Sequence, residues 1–400
     1  MQKPGIRLLI ILLAVSIITG LLSVGIHAAL GNNRIGADFY FFWTASRAAF
    51  IEGQSPYSPE VTAQIQQGIY GRSAEPSEDQ MIFAYPAHSL LLVGPLAWLP
   101  FDWAQALWMA LGIIGLVLLP LVLFPRAPLW VRLSLILYYP VAFALILGNF
   151  NLPVMLALLV FWSRFTIRES HPASAEQISL GFLLSIATIK PQLVWAFVLL
   201  AVLLAFRRRT YILLGSFAGF TLLFLLIPFT FIPNWVGEWL AQIQYYTTFE
   251  HAGGDSVQVM LLQFLSLIGL NGWAATAIAG LTGLAGLIGL LCLVFRKSSR
   301  PAAPLIALGL AGLLIYVLHP SGLSYEQLAM ILPMFIWAAL RGTPRPAVLF
   351  FWLGGLLLSW GVFSLARSLS QNWILYLPPT LWTLAWWLWL LLARRRPAQT

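Results

Sequence analysis

Long apolar runs recur along the whole chain, at about residues 6–30, 102–124, 131–147, 151–166, 178–206, 210–230, 273–295, 302–318, 325–340, 346–366 and 374–393. A helix rising about 1.5 Å per residue needs roughly 20 apolar residues to cross a hydrocarbon layer of about 30 Å. A soluble core of 400 residues has no use for so many such runs. Hydrophobic residues make up 60% of the chain and charged ones 9%, with a mean hydropathy of +0.86. The sequence therefore predicts an all-α, polytopic integral membrane protein. Residues 178–206 are too long for one straight span and are interrupted at Lys190-Pro191, so two short helices are expected to meet there. That makes about twelve spans. The stretches 83–99 and 257–270 are expected to dip into the external face without crossing, because counting either as a span would put the bases that follow on the wrong side.

Charge sets the orientation. With the N-terminus inside, the cytoplasmic side receives Lys3, Arg7, Arg126, Arg132, Arg164, Arg168, Arg207, Arg208, Arg209, Arg296, Lys297, Arg300, Arg341, Arg345, Arg394, Arg395 and Arg396, which is 17 of the 22 bases. Arg34, Arg47, Arg72, Lys190 and Arg367 stay outside with all the acids except Glu169 and Glu176. The formal charge of +9 thus reports orientation in a plasma (inner) membrane with both termini cytoplasmic, and not nucleic-acid binding. A single cysteine, Cys292, excludes a disulfide framework. Lys3 and Arg7 ahead of an apolar segment ending in IHAALG also fit a cleaved signal peptide, but the span count works with the segment retained. The organisation expected is one transmembrane domain, 1–400, with a first external loop at 31–100 and a second at 231–272.

Unusual polar residues collect on the external face. Asp38 follows the first span, Tyr85-Pro86-Ala87-His88 opens the first dipping helix, and Gly148-Asn149-Phe150-Asn151 is a turn between spans. Lys190-Pro191-Gln192 is a helix break, and Leu318 to Gln327, with His319 and Tyr325, joins two late spans. Each has a plain structural reading. Asp38 suits a helix cap, Lys190 can snorkel, and Tyr85-Pro86, Asn149 and His319 suit turns. Phe41, Phe42 and Trp43 read as an interfacial aromatic belt. Ionisable groups at bilayer depth are costly, however, and usually functional. No metal-ligand spacing, nucleophile elbow or phosphate-cradling glycine loop occurs. One acid, one deep base and several amides suit transfer from a lipid-linked sugar phosphate: a carboxylate takes the acceptor proton while a cation stabilises the departing phosphate.

The stretch ADFYFFWTASRAAFIEGQSPY, residues 37–57, resembles the first-loop signature of the polyprenyl-phosphate mannose-dependent alpha-mannosyltransferases of glycosyltransferase family 87, membrane enzymes of the GT-C type. A Tyr-Pro motif, a Gly-Asn turn, Lys-Pro-Gln and a His-Pro followed by Tyr come in similar order. Two elements depart from the family pattern: Ala87 replaces the second Pro of Tyr-Pro-Pro, and GDSVQV blurs an Asn-Gln-Ser element. The resemblance implies a GT-C-like fold and an inverting transfer of one sugar, mannose first, from a polyprenyl phosphate to a lipid or glycan acceptor. Asp38 is then the general base, with Lys190, Gln192 and Arg34 at the donor phosphate and Tyr85, His88, Asn149, Asn151, His319 and Tyr325 around the substrates. Membrane lipids are the other partners. No cofactor is implied; a divalent ion remains open as an aid to the phosphate. The rival reading is a transporter or flippase, which would spread ionisable groups along a midplane path.

The charge reading has a direct test. In a Cys292→Ala background, cysteines placed at Ser77 and Gly253 should react with an impermeant thiol reagent on intact cells, and one at Ser298 should not. Labelling at Ser298 but not Ser77 would invert the orientation.

Overall fold

A computed structural model describes residues 4–76, 78–165, 172–249, 269, 272–295, 303–318, 323–340 and 342–393. His319, the labelling positions Ser77, Gly253 and Ser298, and the expected dipping helix 257–270 apart from Gly269 lie outside these residues. The described elements are helical throughout. In chain order the longer ones are α1 (Pro4–Leu30), α2 (Ala37–Arg47), α3 (Pro59–Tyr70), α4 (Phe101–Leu123), α5 (Leu129–Ser134), α6 (Tyr139–Leu147), α7 (Asn151–Phe165) and α8 (Ser174–Ala187). They continue as α9 (Pro191–Arg207), α10 (Tyr211–Leu226), α11 (Trp235–Tyr246), α12 (Gly272–Phe295), α13 (Ala303–Val317), α14 (Leu328–Ala339), α15 (Gly354–Leu369) and α16 (Leu377–Leu392).

Among the described residues, five helices are long and apolar enough to cross a membrane: Leu9–Leu30, Phe101–Leu123, Tyr211–Thr230, Arg345–Leu369 and Trp373–Leu392. The pair Leu129–Leu137 and Tyr139–Leu147, bent by 55°, makes a sixth if it is one broken span. The protein is therefore a multi-pass membrane protein, and the expected twelve spans are corrected to a smaller number, with five or six candidates among the described residues. Helix length is the reason. The 15 residues of α7, at about 1.5 Å each, reach only about 22 Å. Apolar runs that look like spans in the sequence are cut by Tyr138, Lys190 and the turn at Ser324–Gln327 into shorter helices. The break expected inside 178–206 is present, between α8 and α9. Residues 87–96 form a short succession of helical turns, Ala87–Ser89, Leu90–Val93 and Gly94–Leu96.

The chain divides into two compact units that interleave in sequence. The first comprises Met1–Pro120, Phe143–Leu152 and Phe224–Ala252. Local chemistry fixes its helices. Ser58 caps α3 by accepting a hydrogen bond from the Val61 N–H at 3.3 Å, Pro59 occupies the first helical position, and Gly71 ends the helix at φ +70°. Phe39, Phe41 and Phe42 of α2 are buried. The belt reading is thus corrected for Phe41 and Phe42: their rings pack on Phe83, Tyr85 and Phe150 inside the unit.

The second unit comprises Leu121–Ala142, Pro153–Leu223 and Gly253–Thr400. Its centre is α13, buried over most of its length and packed against α9, α12, α14 and α16. Gly312 makes the α13–α14 contact possible: a Cβ there would stand 2.3 Å from the Ala329 carbonyl oxygen. Trp387 adds a polar tie, its Nε1–H donating to the Ile306 carbonyl at 2.9 Å.

Candidate active site

Two polar clusters form in the helical framework, one in each unit. In the first unit Asp38 is the second residue of α2 and half-buried. Gly36 is the residue that caps the helix, and it makes no side-chain cap, so the capping reading of Asp38 does not apply. Placement in the first turn puts the carboxylate at the positive end of the helix dipole, which favours its charged form. The extended segment leading into α2 is held by Gln105 of α4, a buried side chain. Its Oε1 accepts from the Gly36 N–H at 2.9 Å and its Nε2 donates to the Asn33 carbonyl at 3.1 Å.

Asn149 is the partner that orients Asp38. Its Nδ2 donates to Asp38 Oδ2 at 2.6 Å, while its Oδ1 accepts from the Asn151 backbone N–H at 2.8 Å. The second bond decides the first: with Oδ1 committed to a backbone donor, the amide must turn its NH₂ toward the carboxylate. Both Asn149 and Asn151 are buried. The turn carrying them begins at Gly148, whose φ of +71° suits glycine, and a Cβ there would stand 2.4 Å from the Phe39 Cβ. Phe42 stacks on Phe150 with ring centroids 3.6 Å apart, fastening α2 to the same turn.

Tyr85 borders this cluster, its ring edge-on to Phe42 and Phe150. Its backbone carbonyl accepts from the Tyr57 hydroxyl at 2.8 Å. Burial, with the Glu238 carboxylate nearby, pushes the Tyr57 phenol well up, so it acts as a neutral donor. Trp239 of α11 ties down the neighbouring carbonyl of Ala84 at 3.0 Å. His88 is buried with its ring 6.5 Å from that of Trp235. Arg34 lies over the Tyr40 ring at 4.7 Å and donates to the Gly68 carbonyl at 2.6 Å, so it joins the approach to α2 with the end of α3.

In the second unit Lys190 is the residue ahead of α9 and is 2% exposed. Pro191 starts that helix at the position where its missing N–H is harmless. The Lys190 ammonium pairs with Glu326 Oε1 at 3.1 Å and lies 5.4 Å from the Tyr325 ring centroid. The other Glu326 oxygen accepts from the Leu323 N–H at 3.3 Å. Around this pair, Ser324 shares a hydrogen bond with the Tyr139 hydroxyl at 3.1 Å, and Gln327 donates to the Leu375 carbonyl at 2.6 Å. Gln192, two residues past Lys190, is exposed.

The structure thus joins Asp38 with Asn149, Asn151 and Tyr85, and Lys190 with Tyr325. Sequence reasoning missed Gln105 and Glu326. Both had a signal: Gln105 is a polar residue within an apolar run, and Glu326 is an acid at the opening of another. Among the described residues no three His, Cys, Asp or Glu side chains converge as a metal-holding group.

The fold and this contact define a helical multi-pass membrane protein that holds a half-buried carboxylate on a buried amide. The family follows from sequence comparison: the model of Glycosyltransferase family 87 matches residues 83–320, and the chain belongs to that family of glycosyltransferases. The matched segment includes Tyr85, His88, Asn149, Asn151, Lys190, Gln192 and His319, and it begins after Asp38 and ends before Tyr325. No curated protein and no solved structure matches the chain.

The buried pair makes a stability prediction. Removing one partner of a buried ion pair leaves an uncompensated charge and typically costs about 3–5 kcal/mol, whereas removing both costs much less. Lys190→Met and Glu326→Met should each lower the thermal midpoint of the purified protein, and Lys190→Met/Glu326→Met should recover most of the loss. Additive losses in the double variant would show that the two side chains are not coupled.

Proposed function

We propose that the protein is an inverting glycosyltransferase that moves one mannose from a polyprenyl phosphate to a lipid or glycan acceptor at the extracytoplasmic face. The observation that carries this reading is the hydrogen bond from Asn149 to Asp38. It unites two motifs 111 residues apart in the chain and presents a half-buried carboxylate of fixed orientation. In the reaction the acceptor hydroxyl oxygen attacks C1 of the sugar while the C1–O bond to the phosphate breaks. The hydroxyl proton passes to Asp38, and the electron pair of the broken bond leaves on the polyprenyl phosphate. Attack opposite the leaving group inverts the anomeric centre.

Lys190 is assigned to the donor phosphate, with Gln192 and Arg34 as further donors and Tyr85, His88, Asn151, His319 and Tyr325 around the substrates. The burial of both Lys190 and Glu326 favours a second reading, in which the pair is structural and holds the start of α9 to the turn before α14. A leaving phosphate makes its own charge stabilisation necessary, and the first reading supplies it. A lipid-linked donor also fits a face of the membrane to which nucleotide sugars have no access.

Asp38→Asn should preserve folding and donor binding but lower turnover of a polyprenyl-phosphate mannose donor by about 10²–10⁴, the usual effect of losing a general base. Asn149→Ala, which keeps the base but frees its orientation, should lower turnover by roughly 10- to 100-fold. Near-normal transfer by a well-folded Asp38→Asn protein would remove the base assignment. For Lys190, the measurement is donor affinity in Lys190→Gln and Lys190→Arg. Weakened binding in the first with partial retention in the second supports the phosphate contact, whereas unchanged affinity and rate leave the pair structural.

A further inference from the structure

The second unit contains a cavity of about 450 Å³, within the range of roughly 300–1,000 Å³ typical of ligand pockets. Arg126 and Arg345 line it, together with Trp130, Leu340, Thr343 and Leu349. We propose that this cavity binds the phosphodiester headgroup of an anionic phospholipid, with the two guanidinium groups on the phosphate and the apolar wall against the glycerol and first acyl carbons.

Three observations carry the assignment. The first is charge. Arg126 and Arg345 lie on opposite sides of a long stretch of chain yet line one concavity, and neither pairs with a carboxylate among the described residues. Guanidinium groups are suited to bidentate phosphate contacts. The second is that the obvious local use for these cations is already met. The end of α14 forms one wall, and its Trp337 carbonyl accepts from the Thr343 hydroxyl at 2.9 Å and from the Leu340 N–H at 3.2 Å. The arginines are therefore not needed to close that helix. The third is the character of the rim. Trp130 is 41% exposed and Leu349 51% exposed. Beside them, Leu129 and Phe350 also present large apolar surface. A soluble anion has no use for such a border, while a lipid covers it with its chains.

Orientation of the protein in the membrane requires bases on one face but no concavity holding two of them. In the orientation expected from the charge asymmetry both arginines face the cytoplasm, where the leaflet is negatively charged and each nearby base adds about 1 kcal/mol of attraction to the lipid surface, roughly five-fold in binding.

The test is lipid retention by the purified full-length protein, read by native mass spectrometry after exchange into detergent with phosphatidylglycerol or phosphatidylcholine. The wild type should hold one phosphatidylglycerol with a clear preference over phosphatidylcholine. Arg126→Ala/Arg345→Ala should lose about 25-fold in that preference, each single alanine about five-fold, and Arg126→Lys/Arg345→Lys should keep part of it. Arg164→Gln, at a base outside the cavity, should leave it unchanged. If the double alanine variant does not fold, the single variants carry the comparison. An unchanged preference in the alanine variants overturns the site. So does displacement of the lipid by millimolar inorganic phosphate, which would define a soluble-anion site instead.

Discussion

The hydrogen bond from Asn149 to Asp38 ties the carboxylate of α2 to the turn between α6 and α7. Each part of the surrounding structure serves that contact. Gly148 lets the turn approach Phe39, the Asn151 N–H fixes which way the Asn149 amide faces, and Gln105 holds the segment that leads into α2. As the proposed general base, this carboxylate must do two things that conflict: stay charged in a partly buried setting and stay able to accept a proton. The position in the first turn of α2 and the Asn149 amide donor both suit a carboxylate there. Half-burial leaves Asp38 reachable. The rings of Phe39, Phe42, Trp108 and Phe150 pack on one another and join α2 to α4 and the Gly148–Asn151 turn.

The Lys190–Glu326 pair answers a different constraint. Lys190 stands at the start of α9 and is buried, a place where a charged side chain needs an anionic partner. Glu326 supplies one. Pro191 makes the break that allows a charged side chain to leave the helix path, and the turn Ser324–Gln327 brings the acid to it. The pair has no net charge, so its use on a phosphate depends on the ammonium serving two anions at once. That demand explains why charge-retaining and charge-removing substitutions at Lys190 separate the two readings of it.

Much of this was legible in the sequence. The apolar runs made the helical, membrane-embedded class plain, and Lys190-Pro191 marked the break between α8 and α9. The motif containing Asp38, the Gly-Asn turn and Lys-Pro-Gln pointed to the family. The span count was not legible, because hydropathy registers a buried helix of 15 residues, such as α7 or α13, much as it registers a lipid-facing one. The roles of Phe41 and Phe42 were misread for a related reason: aromatic residues suit both a membrane interface and a packed interior, and only the partners Phe83, Tyr85 and Phe150 distinguish them. Glu326 was hidden because nothing in a one-dimensional sequence says which acid meets Lys190, 136 positions away in numbering.

The central claim is a single displacement at the anomeric carbon of a lipid-linked sugar, driven by one oriented carboxylate. The most direct measurement is the anomeric configuration of the product formed by purified protein from a β-linked polyprenyl-phosphate mannose and an extract of host lipids, read by NMR. The account predicts an α-linked mannosyl product made from the lipid donor and not from a nucleotide sugar. A β-linked product, or equal transfer from a nucleotide donor, would contradict it.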